Sequence, residues 1–428
     1  MKSVYNAITE SIRMLKTLSL ILLLLVATNA TAVNVEVLHY WTSSSEQAAL
    51  LSVKQALAKK GDNWQDFAVA GGAGESAYSV LQTRAIAGNP PGAALLEGKA
   101  IEEWARLGFL SSPYTPEQTV EWDQVLPLAI KTNIKYRGEY VAVPVNIHRI
   151  NWMWINPKPF AKLKLAVPTT WDEFFAVADK LQAAGYIPLA HGGQAWQDAT
   201  VFENLLLGME GGEFYRQVFM EQRSSAITSE KMVRVLEEFR KLKGYIDPDA
   251  ANRPWHESVE MLRSGKAAMM IMGDWAKGEM MQDGDHPGQA FLCVVAPGTQ
   301  GYFIYNTDSF AILQQNGNPV VVSGQRHLAD VLMDKQFQVT FNKLKGSIPA
   351  RMDVSLQDFD SCAQQSGKAF REAEASGKLL PSMAHSMATD AQTKEIFFHV
   401  LNSFFIHPEQ TPQQAVQQLN TALIAVKS

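Results

Sequence analysis

Cysteine is almost absent: the 428 residues contain two, Cys293 and Cys362. Two are too few for a disulfide-framed scaffold or a thiolate metal cluster, and they are free to pair or to stay apart. Charge is sparse as well. Charged residues make up 19% and the net charge is −5. A mildly acidic body excludes nucleic acid and anionic membrane as natural partners. Long apolar runs are missing after the first 32 residues. There is no G-x-S-x-G nucleophile turn, no phosphate-cradling glycine spacing, no internal repeat and no low-complexity linker. The nine histidines are scattered without metal-ligand spacing. His256-Glu257 with Glu260 lacks the second histidine of a zinc helix and reads as a solvated helix face. No metal and no cofactor is implied. Of loop acids that could pair for sugar hydrolysis, only Glu97, Asp198, Asp274 and Asp308 stand at suitable turns.

What is present begins with a leader. Lys16 precedes LSLILLLLV at 18–26, and Ala30-Thr31-Ala32 follows. Charge, a short apolar core and small residues at −3 and −1 are the marks of an export signal cut before Val33. Met14 is an alternative start. The run falls short of the ~20 residues that span a bilayer. The expectation is therefore a soluble periplasmic protein with residues 1–32 removed.

Behind the leader, strand-like and helix-like stretches alternate, which argues for an α/β protein with mixed sheets. The key stretch is GKAAMMIMGDW at 265–275. An apolar strand runs over 267–272, Gly273 breaks it, and Asp274 is placed to cap a helix from Trp275. Such a turn delivers Trp275 to the carboxyl end of a sheet, where α/β proteins bind ligands. VNVEVL at 33–38 ends likewise in Tyr40 and Trp41, before a helix bearing Leu50, Val53 and Leu57. The glycine-rich 70–76 reads as a turn near the cleft. Thr170 and Glu173 form a capping box, 187–190 is a strand, and Trp196 follows in a polar loop. YVAVPV at 140–145 cannot be central throughout, because Pro144 lacks a donor. Asn306, Thr307 and Asp308 interrupt another β-like run at 302–313. These two places read as crossings between two lobes, so each lobe is built from separate pieces. The tail after about 355 reads mostly as helices.

Tyr40, Trp41, Glu97, Trp196, Trp275, Asn306, Asp308, Lys345 and His385 all fall at turn positions. Indole rings suit the C–H face of a pyranose, and Asp, Asn, Lys and His suit its hydroxyls.

The stretches GKAAMMIMGDWA, PTTWDEFFAVADKLQAAGYIPLA and GNPPGAALLEGKAIEEWARLGFL resemble the extracellular solute-binding proteins of bacterial ABC sugar importers. VEVLHYWTSSSE, AVPVNIHRINWMWINP, HGGQAWQDATVFE, FNKLKGSIPARMD and PSMAHSMATD are similar to the periplasmic glucose-binding subgroup. The resemblance runs from Val35 almost to the end. It implies a two-lobed periplasmic-binding-protein fold (type II-like) with a hinge and one sugar in the cleft. The lobes would be 33–145 plus 304–352, and 146–303 plus 353–428. Trp41 and Trp275 would flank the sugar. Glu46, Asn306, Asp308, Lys345 and His385 would bond its hydroxyls, and Trp196 would line the second lobe's side. The partners implied are a glucose-like hexose, the membrane permease of an ABC importer and, more weakly, a chemoreceptor, with the protein a monomer and no enzyme. An exported carbohydrate-active enzyme is the rival reading. The subgroup carries tryptophan at the position of Tyr40 and tends to lysine at that of Glu97. The second departure puts an anion where a cation would stand, and shifts the expected preference toward another hexose, an amino sugar or a disaccharide.

Overall fold

The computed structural model describes residues 33–71, 74–282, 284–315 and 317–427. The leader expected over 1–32, including the alternative start at Met14, lies outside them. Three mixed sheets carry the architecture, with a separate two-stranded ribbon beside them. The first sheet has the strand order Asn63–Ala68, Asn34–His39, Ala93–Leu96, Ser309–Ile312, Ala142–Pro144. Its first two neighbours run parallel, and Ser309–Ile312 runs antiparallel to both strands beside it. The second has the order Leu292–Val295, Trp152–Ile155, Ala267–Ile271, Ile187–Ala190. The third has the order Ile348–Pro349, Asn146–Arg149, Phe303–Asn306, Leu379–Pro381.

The first and second sheets each bury a core of their own. One gathers Val35, Val37, Leu50, Leu95, Phe310 and Phe341. The other gathers Trp152, Trp154, Phe174, Phe202, Phe239 and Ile271. Strand Ala267–Ile271 is buried at every position. A neighbour on each side and helices on both faces explain its unbroken apolar run, as in strands covered on both faces.

The chain changes sheets where the polar interruptions fall. Ala142–Pro144 belongs to the first sheet and Asn146–Arg149 to the third; Phe303–Asn306 and Ser309–Ile312 are divided in the same way. Pro144 sits on an edge strand, where its missing N–H costs no ladder bond. The two crossings hold each other: Val145 N–H donates to the Asp308 carbonyl at 3.0 Å, and Asp308 N–H to Asn146 Oδ1 at 2.9 Å.

Thr170 and Glu173 form the expected capping box. The tail is mostly helices, as read, and Leu379–Pro381 adds one short strand parallel to Phe303–Asn306. Three residues are too few to show a period in sequence. Helix Ser361–Ala375 packs Ala363, Phe370 and Ala373 into the first core, whereas Ala391–Ile406 packs Phe397 and Leu401 into the second. Cys293 and Cys362 are joined in a disulfide, which ties strand Leu292–Val295 to the start of helix Ser361–Ala375. No helix among the described residues is long and apolar enough to cross a membrane.

Candidate functional site

All ten residues singled out from the sequence line one cavity of about 270 Å³. They come from the ends of distant strands and helices, Trp196 from the first turn of helix Ala195–Tyr215 rather than from a loop, and fall into two unlike groups.

The first group is charged and tied together. Lys345 ends helix Lys335–Lys345, and Gly346 caps it with φ +88°. A Cβ there would stand 2.3 Å from the Asp274 carbonyl, so only glycine fits. Lys345 Nζ donates to Glu46 Oε1 at 3.2 Å and lies 3.9 Å from Asp308 Oδ2. It also sits 4.6 Å above the Trp41 ring. The other Glu46 oxygen accepts from the Thr42 and Ser43 N–H groups, closing a capping box on helix Ser44–Ala58. Glu46 therefore positions Lys345 as well as lining the cavity. Asp308 Oδ2 accepts from Asn146 Nδ2 at 2.7 Å and from His148 Nε2 at 3.0 Å. His148 Nδ1 pairs with Asp274. The Asp274 carboxylate goes to His148 and to the Arg149 N–H at 3.0 Å, across the sheet rather than onto the helix that Trp275 begins.

Burial opposes the charge on His148, but Asp274 and Asp308 lift it to about 9, so the ring is an imidazolium donating from both nitrogens. Burial would likewise raise Asp308; Lys345, His148 and Asn146 outweigh it and hold the carboxyl below its usual range. The result is a continuous buried chain, Asp274–His148–Asp308–Lys345–Glu46, in which each charge has an opposite neighbour.

Glu97 stands beside this chain. Its Oε1 accepts from the Tyr40 hydroxyl at 2.8 Å and from Asn306 Nδ2 at 3.1 Å. Glu97 Oε2 and Asn306 Oδ1 are buried without a partner among the described residues. Burial, and then the negative charge of Asp308, push Glu97 up to about 7.

The second group is aromatic. Gly273 lets Trp275 fold back over the chain, since a Cβ there would meet the indole ring at 2.2 Å. Trp275 stands edge-on to His148, with ring centres 5.2 Å apart, and lies 5.1 Å from His385 and 6.1 Å from Trp196. Trp196 is oriented by a bond from its Nε1 to Gln194 Oε1 at 3.1 Å. The Trp275 N–H is buried without a partner among the described residues. His385 Nδ1 lies 2.9 Å from Ser382 Oγ. Burial and the nearby cations His148 and Lys394 bring His385 down to about 3, so the ring is neutral.

Trp41 differs from Trp275. It is 1% exposed and wedged between Phe310 at 5.6 Å and Phe341 at 5.7 Å, so it reaches the cavity from within the core. Sequence reasoning missed Thr42, His148, Gln194 and Trp255, which also line the cavity. His148 carried a signal: with Asn146 it puts two polar residues at i and i+2 of a strand buried at every position, hence on one face. His256 is exposed as expected, but at the cavity wall. Of the loop acids weighed for hydrolysis, Asp198 and Asp274 are both absent from the cavity lining, and Asp198 bonds His191 and Asn402, each at 2.7 Å.

Two α/β halves, a double crossing and a polar-aromatic cavity between the halves define a cleft-type ligand receptor. Residues 41–322 match the model of the bacterial extracellular solute-binding proteins, and the chain belongs to that family. It is 40% identical over 406 residues to a probable sugar-binding periplasmic protein of Rhizobium meliloti (strain 1021), covering 95% of this chain and 97% of that one. It is also 40% identical over 394 residues to a protein of the same description from Brucella suis biovar 1 (strain 1330), covering 92% and 93%. A solved chitin oligosaccharide binding protein shares the fold, with a TM-score of 0.78 over 92% of this chain and 98% of that one at 18% identity.

Proposed function

We propose that this protein is the periplasmic sugar receptor of an ABC importer and that it binds one glucose-like hexose. The observation that carries the reading is the pairing of an indole and imidazole shelf (Trp275, Trp196, His385) with a fixed set of charged and amide groups around one cavity. The shelf suits the apolar face of a pyranose, and the polar set suits its hydroxyls. The volume lies at the small end of ligand pockets, which favours one ring over an oligosaccharide. The relatives at 40% identity are described as sugar-binding and periplasmic.

The lobes are 33–145 plus 304–352, and 146–303 plus 353–428, with the paired crossings as hinge. A sugar touching both lobes in the closed form shifts the equilibrium toward closure, and the closed surface docks on the permease. Binding leaves the sugar unchanged, so disaccharides incubated with the protein release no reducing ends.

A thermal-shift panel of sugars is the direct test. A true ligand at 100-fold its dissociation constant adds about 2.7 kcal/mol of stability. A panel in which no sugar raises the melting temperature overturns the reading. Glu97 gives the site a carboxyl group, an acceptor anion above about 7, and tunes which sugar is preferred. Glu97→Lys is expected to reorder the affinities, and an unchanged order removes Glu97 from that role.

A further inference from the structure

Behind His385 lies a polar relay that the sugar reading does not use. Glu203, fully buried on helix Ala195–Tyr215, accepts from the Ser382 hydroxyl at 2.7 Å and from the Met383 N–H at 2.8 Å. The Tyr215 hydroxyl lies 2.9 Å from the same carboxylate and 2.8 Å from the Pro381 carbonyl. A serine hydroxyl has one proton. With that proton on Glu203, Ser382 can only accept from His385, whose Nδ1 is 2.9 Å away. Nδ1 therefore carries the hydrogen of the neutral ring. Nε2, which has no protein partner among the described residues, is left with a lone pair on a ring that lines the cavity.

The consequence is a matter of polarity. Above the value of about 7 to which Glu97 is lifted, Glu97 Oε2 and Asn306 Oδ1 are acceptors lacking donors, and Asn306 Nδ2 is already bound to Glu97. An acceptor at His385 makes a third. We propose that Glu203 and Ser382 are positioning residues that hold His385 as an acceptor, completing an acceptor-only pole with Glu97 and Asn306 that reads hydroxyl or amino donors on the ligand. A ligand lacking a donor at this pole leaves buried acceptors unpaired and is rejected. The ligand half of the inference rests on the sugar reading; the tautomer half does not.

Nitrogen-15 NMR of histidine-labelled protein at pH 8 tests it, above the value of about 7 to which burial lifts Glu203. The His385 resonances are assigned with His385→Gln. Wild type is expected to show His385 protonated at Nδ1 only. Ser382→Ala is expected to move the proton to Nε2 and to weaken the best-binding hexose roughly tenfold; Ser382→Thr restores both. In a panel of monodeoxy and amino derivatives of that hexose, one deoxy penalty shrinks in Ser382→Ala. If the amino derivative at that position binds best, the donor is an amine; otherwise it is a hydroxyl. A proton on Nε2 in wild type overturns the proposal, as does a Ser382→Ala variant with unchanged tautomer and affinity. An Nδ1–H tautomer in a protein that binds no sugar upholds the relay and removes the sugar reading instead.

Discussion

The two groups around the cavity solve different problems. The charged group, from Glu46 to Asp274, has nearly every polar atom engaged within the protein, so its geometry is set before a ligand arrives. The aromatic group has few such bonds and offers apolar faces close together. A receptor needs both. Pre-paired charges orient hydroxyls without reorganisation, whereas ring faces give contact area that tolerates small shifts as the cleft closes. Trp41 and Trp275 make the point with one residue type: the first is locked among phenylalanines, the second stands against two imidazoles.

The largest expected effect lies in the charged group. Asp308→Ala leaves the His148 imidazolium and the Lys345 ammonium buried without their shared partner. Breaking a buried pair costs about 3–5 kcal/mol, to be read from urea unfolding of the ligand-free protein. A loss under about 1 kcal/mol would show that the chain behaves like a solvated surface pair, and the contrast would fail. Next is the bond between Cys293 and Cys362, whose 69-residue separation closes a long loop and joins an element of one core to a helix partly packed in the other. Reduction is expected to cost roughly 2–4 kcal/mol of stability, measured by unfolding with and without reductant.

A smaller effect sharpens the aromatic side. Trp275→Leu keeps apolar volume and loses the ring face. It should weaken sugar binding roughly tenfold, while changing the stability of the ligand-free protein less than Asp308→Ala does. Calorimetric titration and unfolding together read this, and an affinity equal to wild type removes Trp275 from the contact surface.

A pH slope gives the last test. Glu97 titrates at about 7 in the folded protein against an ordinary value of 4.5. At this group the folded state holds more protons than the unfolded state between those values, so its contribution to stability falls as pH rises through that window. Glu203, also lifted to about 7 by burial, acts in the same window. His385, brought down to about 3, has the opposite slope below its ordinary 6.5, so Glu97→Gln is expected to remove the Glu97 contribution alone, on the order of 3 kcal/mol across the window. A melting temperature with the same pH profile in the variant would refute this origin.

The turns that hold the site were readable in the chain because their cause is local. Gly273 two positions before Trp275 and the polar break at Asn306–Asp308 each follow from the conformation or hydrogen bonding of a few neighbours. The role of His148 was not readable in this way. Its partners Asp274 and Asp308 lie 126 and 160 positions away, so no window of sequence contains the network. The tether of Glu46 to Lys345, 299 positions apart, is of the same kind.

The amino-acid sequence alone determined the alternation of strands and helices, the two places where the chain changes sheets, and the types of side chain delivered to the ends of strands. Those depend on periodicity and on the conformational limits of single residues. The tertiary structure alone decided that Trp41 is locked among phenylalanines while Trp275 packs against His148, His385 and Trp196, that Cys293 meets Cys362, and which charges neutralise one another. Burial, pairing and protonation depend on what packs alongside from elsewhere in the chain, and only the assembled fold supplies those neighbours.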